Sequence, residues 1–199
     1  MCNEAVEPEA IRASGFESLA QQAQAQNLLL VVEDSTSISY THAVAAELGI
    51  TGSKQDAERN GFLAHSLLLL DTVSERTVGL IAQQHWCRDR NSYGKKHKRK
   101  QHAYEDKESY KWEQASVQMA KYLGSAMQCT ISVYDRESDV YEYLLYKCQH
   151  DQRFVVRAQV DRRVLHSNFK LFEGLACDAS VLCCYTLQIP QRGGRRRAK

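Results

Sequence analysis

Residues 28–37, Leu-Leu-Leu-Val-Val-Glu-Asp-Ser-Thr-Ser, give the clearest indication of the fold of this chain. Five apolar residues, β-branched at their end, are followed at once by two acids and three hydroxyl residues. A short continuous apolar run with polar boundaries is typical of a strand buried inside a sheet. We therefore predict a buried strand over residues 28–32 that stops at the acidic pair Glu33 and Asp34.

Outward from this strand, the apolar patterns predict one helix before it and alternating strands and helices after it. A helix from about Glu9 to Ala25 begins at Pro8, a residue favoured at a first helical position. Strands at 62–70 and 78–86 are joined by a short polar segment, which favours an antiparallel hairpin. The later elements are a helix with Trp112, Ala115, Met119, Tyr122 and Leu123 on one stripe, a strand at Cys129–Tyr134, a helix with Val140, Tyr141, Leu144, Leu145 and Cys148 on its apolar face, a strand at Phe154–Ala158, a helix near Phe169–Leu175 and a strand near Val181–Ile189.

This order of elements predicts an α/β fold. Three strands joined by long or helical connections should be parallel, because a parallel pair needs a crossover. The hairpin adds antiparallel members, so we expect a mixed five-stranded sheet flanked by helices.

Two aspartates follow apolar strands in this scheme. Asp34 and Asp135 each stand at the carboxyl end of a predicted strand, the edge of an α/β sheet where ligands bind. If the two strands are neighbours, the carboxylates repel unless a proton or a cation lies between them. Carboxylate oxygens suit Mg²⁺ or Mn²⁺, and such ions serve phosphodiester chemistry.

The alternative is that both aspartates are structural. Asp34 would then cap the turn after the first strand, and Asp135 would cap the start of the following helix. Ser138 or Asp139 is the other candidate for the N-cap of that helix. For an arbitrary pair of aspartates this structural interpretation is the better one. For Asp34 and Asp135 it is weakened, because both stand at matching positions at the ends of strands.

Charge is concentrated in two segments of a chain whose net charge is +2. Residues 88–102 carry +6 and residues 192–199 carry +5, so the remainder is acidic. Concentrated basic segments favour a polyanionic partner, although solvated runs with no partner remain open. The candidate nucleic-acid contacts are Arg88, Arg90, Lys95, Lys96, Lys98, Arg99, Lys100, Arg192, Arg195, Arg196 and Arg197.

Composition argues against several other classes of protein. The seven cysteines form an odd set without a CxxC pair, so we expect reduced thiols rather than disulfides or a structural zinc site. No apolar run is long enough to span a bilayer, and the first residues do not read as a secretory signal. His65 lies within the apolar run Phe-Leu-Ala-His-Ser-Leu, where we expect a satisfied core histidine.

Eight segments in order resemble the insertion-sequence-four family of transposases. They are VVEDSTSISY (31–40), HAVAAELG (42–49), AHSLLLL (64–70), TVGL (77–80), KESYKW (107–112), VYDRESD (133–139), RFVVRAQ (153–159) and IPQRG (189–193). The resemblance runs from about Ala10 to Gly194, nearly the whole chain. The strand-end EDSTS segment and the DRE-x-D segment are each specific, and their joint order is more so.

The resemblance implies a ribonuclease-H-like core with a catalytic Asp-Asp-Glu triad. It places the first two catalytic and metal-binding aspartates at Asp34 and Asp135, with two Mg²⁺ or Mn²⁺ ions in the complete family site. It implies double-stranded DNA, as transposon ends and target, for a partner, together with self-association. It does not imply a small-molecule substrate or a membrane, and it implies a bacterial cytoplasmic location with the nucleoid.

The family's third acid is a glutamate within a Tyr, Arg, Glu, Lys signature, and no such signature follows Asp135. Glu173 stands in a different context. By resemblance, residues 1–27 are a helical remnant before the core, 28–175 an incomplete core and 176–199 the start of a β-rich insertion. We therefore expect a cut-and-paste transposase piece that is inactive alone. The alternatives are a non-catalytic DNA-binding or interfering remnant and, with less support, an unrelated ribonuclease-H-like nuclease.

Overall fold

The computed structural model describes residues 6–51, 59–88, 102–165, 168–178 and 180. By its internal contacts the chain divides into two compact units, Met1–Gln159 and Val160–Lys199. The second unit contributes one described helix, α4 (Leu171–Asp178). The predicted strand at 181–189 lies outside the described residues.

The first unit contains a mixed sheet with helices. Its helices are α1 (Pro8–Ala23), α2 (Lys111–Leu123) and α3 (Tyr141–Gln149). Its strands are β1 (Leu29–Tyr40), β2 (Gly49–Ile50), β3 (Asn60–Asp71), β4 (Arg76–Trp86), β5 (Thr130–Tyr134) and β6 (Arg153–Val156).

Five main strands lie in the order β4-β3-β1-β5-β6, and the two-residue β2 pairs with the start of β3. β3 runs antiparallel to both β1 and β4, whereas β5 and β6 run parallel to β1 and to each other. The predicted α/β class, the antiparallel hairpin and the parallel set are confirmed. The arrangement is compatible with a ribonuclease-H-like fold.

The core lies between the sheet and the helices. Alternate residues of β1 and β3, such as Leu29, Val31 and Leu67, are buried, as period-two alternation in a half-covered sheet requires. The helical residues that pack on them are Leu19, Ala20 and Ala23 from α1 and Ala115, Met119 and Leu123 from α2. We call this side of the sheet the covered face.

The residues between these positions form the opposite side, which we call the exposed face. It carries Val32, Asp34, Leu68, Val133 and Val155. Val32 and Leu68 are 39% and 37% exposed, and Val155 is 60% exposed. One side of this mixed sheet is therefore buried by helices, and the other is partly exposed to solvent.

One predicted boundary is wrong. β1 does not stop at Glu33 but continues to Tyr40, because every residue from Glu33 onward pairs with β3. The ladder with β5 does end at Val32. Asp34 therefore lies inside a strand, just past the end of its parallel pairing rather than past the strand itself.

The predicted face of α3 is also wrong. Tyr143 and Lys147 are the buried residues, whereas Tyr141 and Leu145 are exposed. Tyr143 packs with Trp112 and Tyr134, and the Lys147 Nζ atom donates to Ser132 Oγ at 3.1 Å. The long apolar stems of Tyr and Lys fill the core, while their polar tips find partners there.

The N-cap prediction for α3 fails for a related reason. Val140 occupies the N-cap position, with no side-chain cap. The Ser138 hydroxyl instead donates to the Asp135 carbonyl at 2.9 Å, and the Asp139 carboxylate accepts from the Gln159 backbone N–H at 2.6 Å. Both side chains therefore have partners other than the first turn of α3.

Candidate functional site

Asp34 lies on the exposed face of β1. Its neighbours Glu33 and Ser35 alternate with it and turn to the covered face, where Glu33 is buried. On the β3 side, Asp34 stands opposite Ser66. Its carboxylate is therefore accessible although the residues on both sides of it are held by the core.

Asp135 is the first residue after β5 and continues its extended backbone, with φ −85° and ψ −173°. Its side chain accepts a hydrogen bond from the Glu137 backbone N–H at 2.8 Å. That bond makes Asp135 the cap of the short 3₁₀ turn Arg136–Ser138 rather than of the helix α3, which the structural interpretation expected it to cap. A carboxylate has about four lone-pair sites, so one such bond leaves capacity for a cation.

The sheet register brings the two aspartates to matching positions. The parallel ladder pairs Val32 with Val133, and each aspartate comes two residues later on its strand. Neighbouring strands lie about 4.8 Å apart, and residues two apart share a face. Asp34 and Asp135 therefore each follow the last pair of the β1–β5 ladder by two residues, and both belong to the exposed face.

This pair suits one divalent cation as a partial ligand set. Two adjacent carboxylates repel each other, which a hard cation between them would relieve. In the described part of the chain, no group of three or more His, Cys, Asp or Glu side chains converges as a metal site. The described residues thus offer two carboxylates and no third protein ligand, and the metal site stays a prediction.

Behind Asp34, the covered face holds a cluster of ionisable groups. The Glu33 and His65 side chains are both fully buried, and His65 Nε2 lies 3.5 Å from Glu33 Oε2. His65 Nδ1 lies 3.0 Å from Ser35 Oγ. His65 is thus a core histidine, as expected, but only its Nδ1 atom is satisfied, because its Nε2 atom and both Glu33 carboxylate oxygens are buried without a hydrogen-bond partner among the described residues.

Lys147 completes this cluster from α3. Its amine lies 5.4 Å from the ring centres of both Tyr134 and Tyr143, whose hydroxyls are hydrogen-bonded to each other. Burial lowers the pKa of Lys147 to about 8, although the Glu33 carboxylate opposes that shift. Burial and then Glu33 raise the pKa of both tyrosines.

A second lysine, Lys111, also has a shifted pKa. Burial lowers the pKa of Lys111, and the carboxylates of Glu108, Glu137 and Asp34 act in the opposite direction. The Lys111 amine lies 5.2 Å from the ring centre of Trp86 and also of Trp112. Lys111 is therefore a cation within electrostatic range of Asp34.

The predicted basic contacts fall mostly outside the described residues. Those are Arg90, Lys95, Lys96, Lys98, Arg99, Lys100, Arg192, Arg195, Arg196 and Arg197. Arg88 is described, and it forms a two-pronged ion pair with Glu108 through Nε at 2.7 Å and Nη2 at 2.6 Å. A guanidinium held in this way is committed to a protein carboxylate.

Sequence reasoning missed Glu33, Lys111 and Lys147. The signal for Glu33 was present, because in an alternating strand its side chain must turn away from that of Asp34. Lys111 and Lys147 lie on helices whose faces were assigned by hydrophobicity alone. When a lysine occupies a buried position of a helix, the sequence pattern does not predict its burial.

No known protein-family profile matches the sequence. Among solved structures, the chain is similar to Ciona intestinalis endonuclease V bound to a 24mer DNA that contains an inosine followed by a ribo-adenosine. It is similar to the same extent to a point variant of that enzyme with a 23mer DNA of the same kind. Each match has 13% identity and a TM-score of 0.35, and covers 86% of this chain and 66% of the other. The chain thus spans slightly less than two thirds of the endonuclease.

A search of the described helices for a membrane span finds none of sufficient length and apolar character.

Proposed function

We propose that this chain forms part of the catalytic core of a DDE transposase of the insertion-sequence-four family, acting on double-stranded DNA. One observation supports the proposal: Asp34 and Asp135 each stand two residues past Val32 and Val133, the last pair of the parallel β1–β5 ladder. The motif resemblance independently selects the same two residues out of 24 acids.

Asp34 and Asp135 would hold one Mg²⁺ or Mn²⁺ ion in this proposal. A divalent ion so held supplies charge neutralisation at a phosphodiester and favours ionisation of an attacking water or hydroxyl. The chain's own contribution is position. β1 carries Asp34 two residues past its last pair with β5, Asp135 directly follows β5, and the Glu137 N–H bond orients the Asp135 carboxylate.

The test of this site is Mn²⁺ binding to the full 199-residue chain. Electron paramagnetic resonance measures the free ion that remains in solution. We expect weak binding that Asp34→Asn and Asp135→Asn each remove. Asp106→Asn, at an exposed acid away from the sheet, is the matched control and should bind like the parent. Binding that survives both site substitutions would move the metal elsewhere and remove the basis of the proposal.

Basic segments of this composition would contact DNA phosphates without reading base sequence. Neutralising a phosphate releases counterions, so log affinity falls linearly with log salt. Replacing Lys95, Lys96, Lys98, Arg99 and Lys100 with Gln should therefore flatten that slope for a transposon-end duplex. The same number of Gln substitutions at exposed lysines and arginines elsewhere is the control, and an unchanged slope would leave the segment a solvated loop.

A second candidate function is a non-catalytic DNA-binding or interfering role. It is favoured by the two-carboxylate set, because a two-metal reaction needs more anionic ligands than two aspartates supply. We expect no Mg²⁺- or Mn²⁺-dependent nicking of an end-sequence duplex by this chain alone. Nicking that Asp34→Ala abolishes would show that a further ligand assembles and would exclude the non-catalytic role.

A further inference from the structure

One imidazole contacts both residues that flank Asp34. His65 stands opposite Ser35 in the β1–β3 register. Its Nδ1 atom lies 3.0 Å from Ser35 Oγ, and its Nε2 atom lies 3.5 Å from Glu33 Oε2. The three side chains share the covered face, and Asp34 projects between Glu33 and Ser35 to the other side.

The imidazole itself has little freedom to move. The side chains of His65 and Glu33 are both 0% exposed. The His65 ring meets the Trp112 indole edge-on at 4.5 Å between ring centres, and Trp112 in turn packs against Tyr134 and Tyr143. A buried side chain wedged against an aromatic cluster holds one rotamer, because close packing leaves no space for another.

β1 needs such a support at this point. Up to Val32 it is paired on both sides, by β3 and by β5, but from Glu33 onward the β5 ladder is absent and β3 alone pairs with it. A strand paired on one side has more freedom to twist and shift than one paired on both. Glu33, the residue before Asp34, is the first residue of β1 without a partner on β5.

We propose that His65 is a positioning residue for Asp34: by engaging Glu33 and Ser35 together, it fixes the strand so that the Asp34 carboxylate faces Asp135. The inference rests on the proposed function in that Asp34 is taken as a metal ligand. His65 touches neither substrate nor metal. Side chains that orient a ligand from behind commonly change metal affinity by about 10- to 100-fold when they are replaced.

An ordinary core histidine would affect stability alone, and two matched pairs of variants separate the two roles. His65→Phe keeps a ring against Trp112 and removes both polar contacts. Its control is Leu67→Ala, two residues along β3 on the same face and equally buried. Ser35→Ala removes only the Nδ1 contact, and its control is Ser37→Ala, the next residue on that face of β1, which stands opposite Leu63.

Two readouts are measured on the full chain, at a temperature where every variant is folded. The first is Mn²⁺ affinity. We expect His65→Phe to weaken it about 10-fold or more and Ser35→Ala about two- to fivefold, the size of one lost hydrogen bond. Both controls should stay within about twofold of the parent even where Leu67→Ala lowers the melting temperature. Equal weakening in a variant and its control would overturn the proposal.

The second readout needs no metal. Amide hydrogen exchange at residues 33–36 reports how firmly this part of β1 is held. We expect faster exchange there in His65→Phe and Ser35→Ala than in their controls, with unchanged exchange in α2. If the parent chain fails to bind Mn²⁺, the metal site of the proposed function fails, and the exchange data still decide the positioning role. Unaltered exchange in both variants would overturn that role whatever the metal does, and Ser35→Ala keeps the test available should His65→Phe not fold.

Discussion

The two faces of the β1–β5 ladder treat charge in opposite ways. On the covered face, Glu33, His65 and Lys147 are buried among aromatic rings, and each has ionisable neighbours in the core. On the exposed face, Asp34 and Asp135 are open to solvent beside partly exposed valines and leucines. Glu33 and Asp34 are adjacent in sequence, so one peptide unit separates the two environments.

The difference shows what each face can contribute. Burying a charge costs free energy unless the charge has a partner. The groups of the covered face are therefore held in fixed positions beside their neighbours. An exposed carboxylate keeps its hydration and can exchange water for a cation or a phosphate-bound ion. Rigidity on one side and access on the other is the combination that a preorganised site requires.

The largest expected effect comes from removing the aromatic centre of the covered face. Trp112 is 2% exposed and its ring contacts His65, Tyr134 and Tyr143. We expect Trp112→Ala to lower the free energy of unfolding by about 3–5 kcal/mol. Val32→Ala on the exposed face should cost about 1 kcal/mol or less. Urea denaturation at neutral pH measures both, and similar losses would contradict the division into covered and exposed faces.

The buried lysine predicts a dependence on pH. Burial lowers the pKa of Lys147 from 10.5 to about 8, so between these values the unfolded chain binds more protons than the folded one. The cost of burying this charge is therefore present below pH 8 and is relieved as the pH rises. We expect the free energy of unfolding of the parent, relative to that of Lys147→Met, to rise by about 2–3 kcal/mol between pH 8 and pH 10.

The upper limit of that window comes from the tyrosines. Their raised pKa values mean that the unfolded chain loses tyrosine protons first, so their contribution to stability declines above about pH 10. Urea titrations at pH 8, 9 and 10 give the comparison, with Lys121→Met as a control at an exposed lysine. If the stabilities of the parent and of Lys147→Met change with pH in parallel across this range, the Lys147 amine is not buried as described.

Periodic apolar patterns predicted α2 and the general pairing of the strands, but not how far β1 extends. The period of Trp112, Ala115 and Met119 specifies α2 because those positions lie on one stripe of any helix. The extension of β1 to Tyr40 depends on pairing with residues of β3 that lie 20 or more positions away, and a polar run such as Ser35–Ser39 carries no sign of that pairing.

The candidate site divides in the same way. Asp34 and Asp135 could be selected from the sequence because each follows an apolar strand and matches a specific motif. The cluster of Glu33, His65 and Lys147 could not, because its three members come from β1, β3 and α3 and meet only through the fold. The burial of His65 could be predicted from its apolar run and that of Glu33 from strand alternation, but a buried lysine such as Lys147 follows no hydrophobic period.

A smaller effect is expected where α2, the main cover of the sheet, ends. Gly124 has φ +51° and ψ −119°, and its N–H donates to the Ala120 carbonyl. No atom lies within 4 Å of the position a Cβ would take, so Gly124→Ala adds only backbone strain, about 1–2 kcal/mol. Gly15, inside α1 and equally unobstructed, is the matched control, since Gly15→Ala should stabilise by about 0.5–1 kcal/mol. Thermal unfolding of both variants tests the opposite signs.

The smallest expected change in stability lies on the exposed face, where association is the property at stake. Val155 is 60% exposed and shares this face with Val32, Leu68 and Val133, a run of apolar side chains across neighbouring strands. Contiguous apolar surface promotes self-association, and β6 is an edge strand in the described sheet.

We therefore expect Val155→Ser to change the free energy of unfolding by no more than about 0.5 kcal/mol while weakening self-association measured by sedimentation velocity. Val117→Ser removes the same apolar group from α2, where Val117 is 50% exposed and away from this face, and should leave association unchanged. Because the two substitutions are chemically identical, any difference between them reports the location of the contact. Equal weakening by both would mean that general hydrophobicity, rather than the exposed face, drives association.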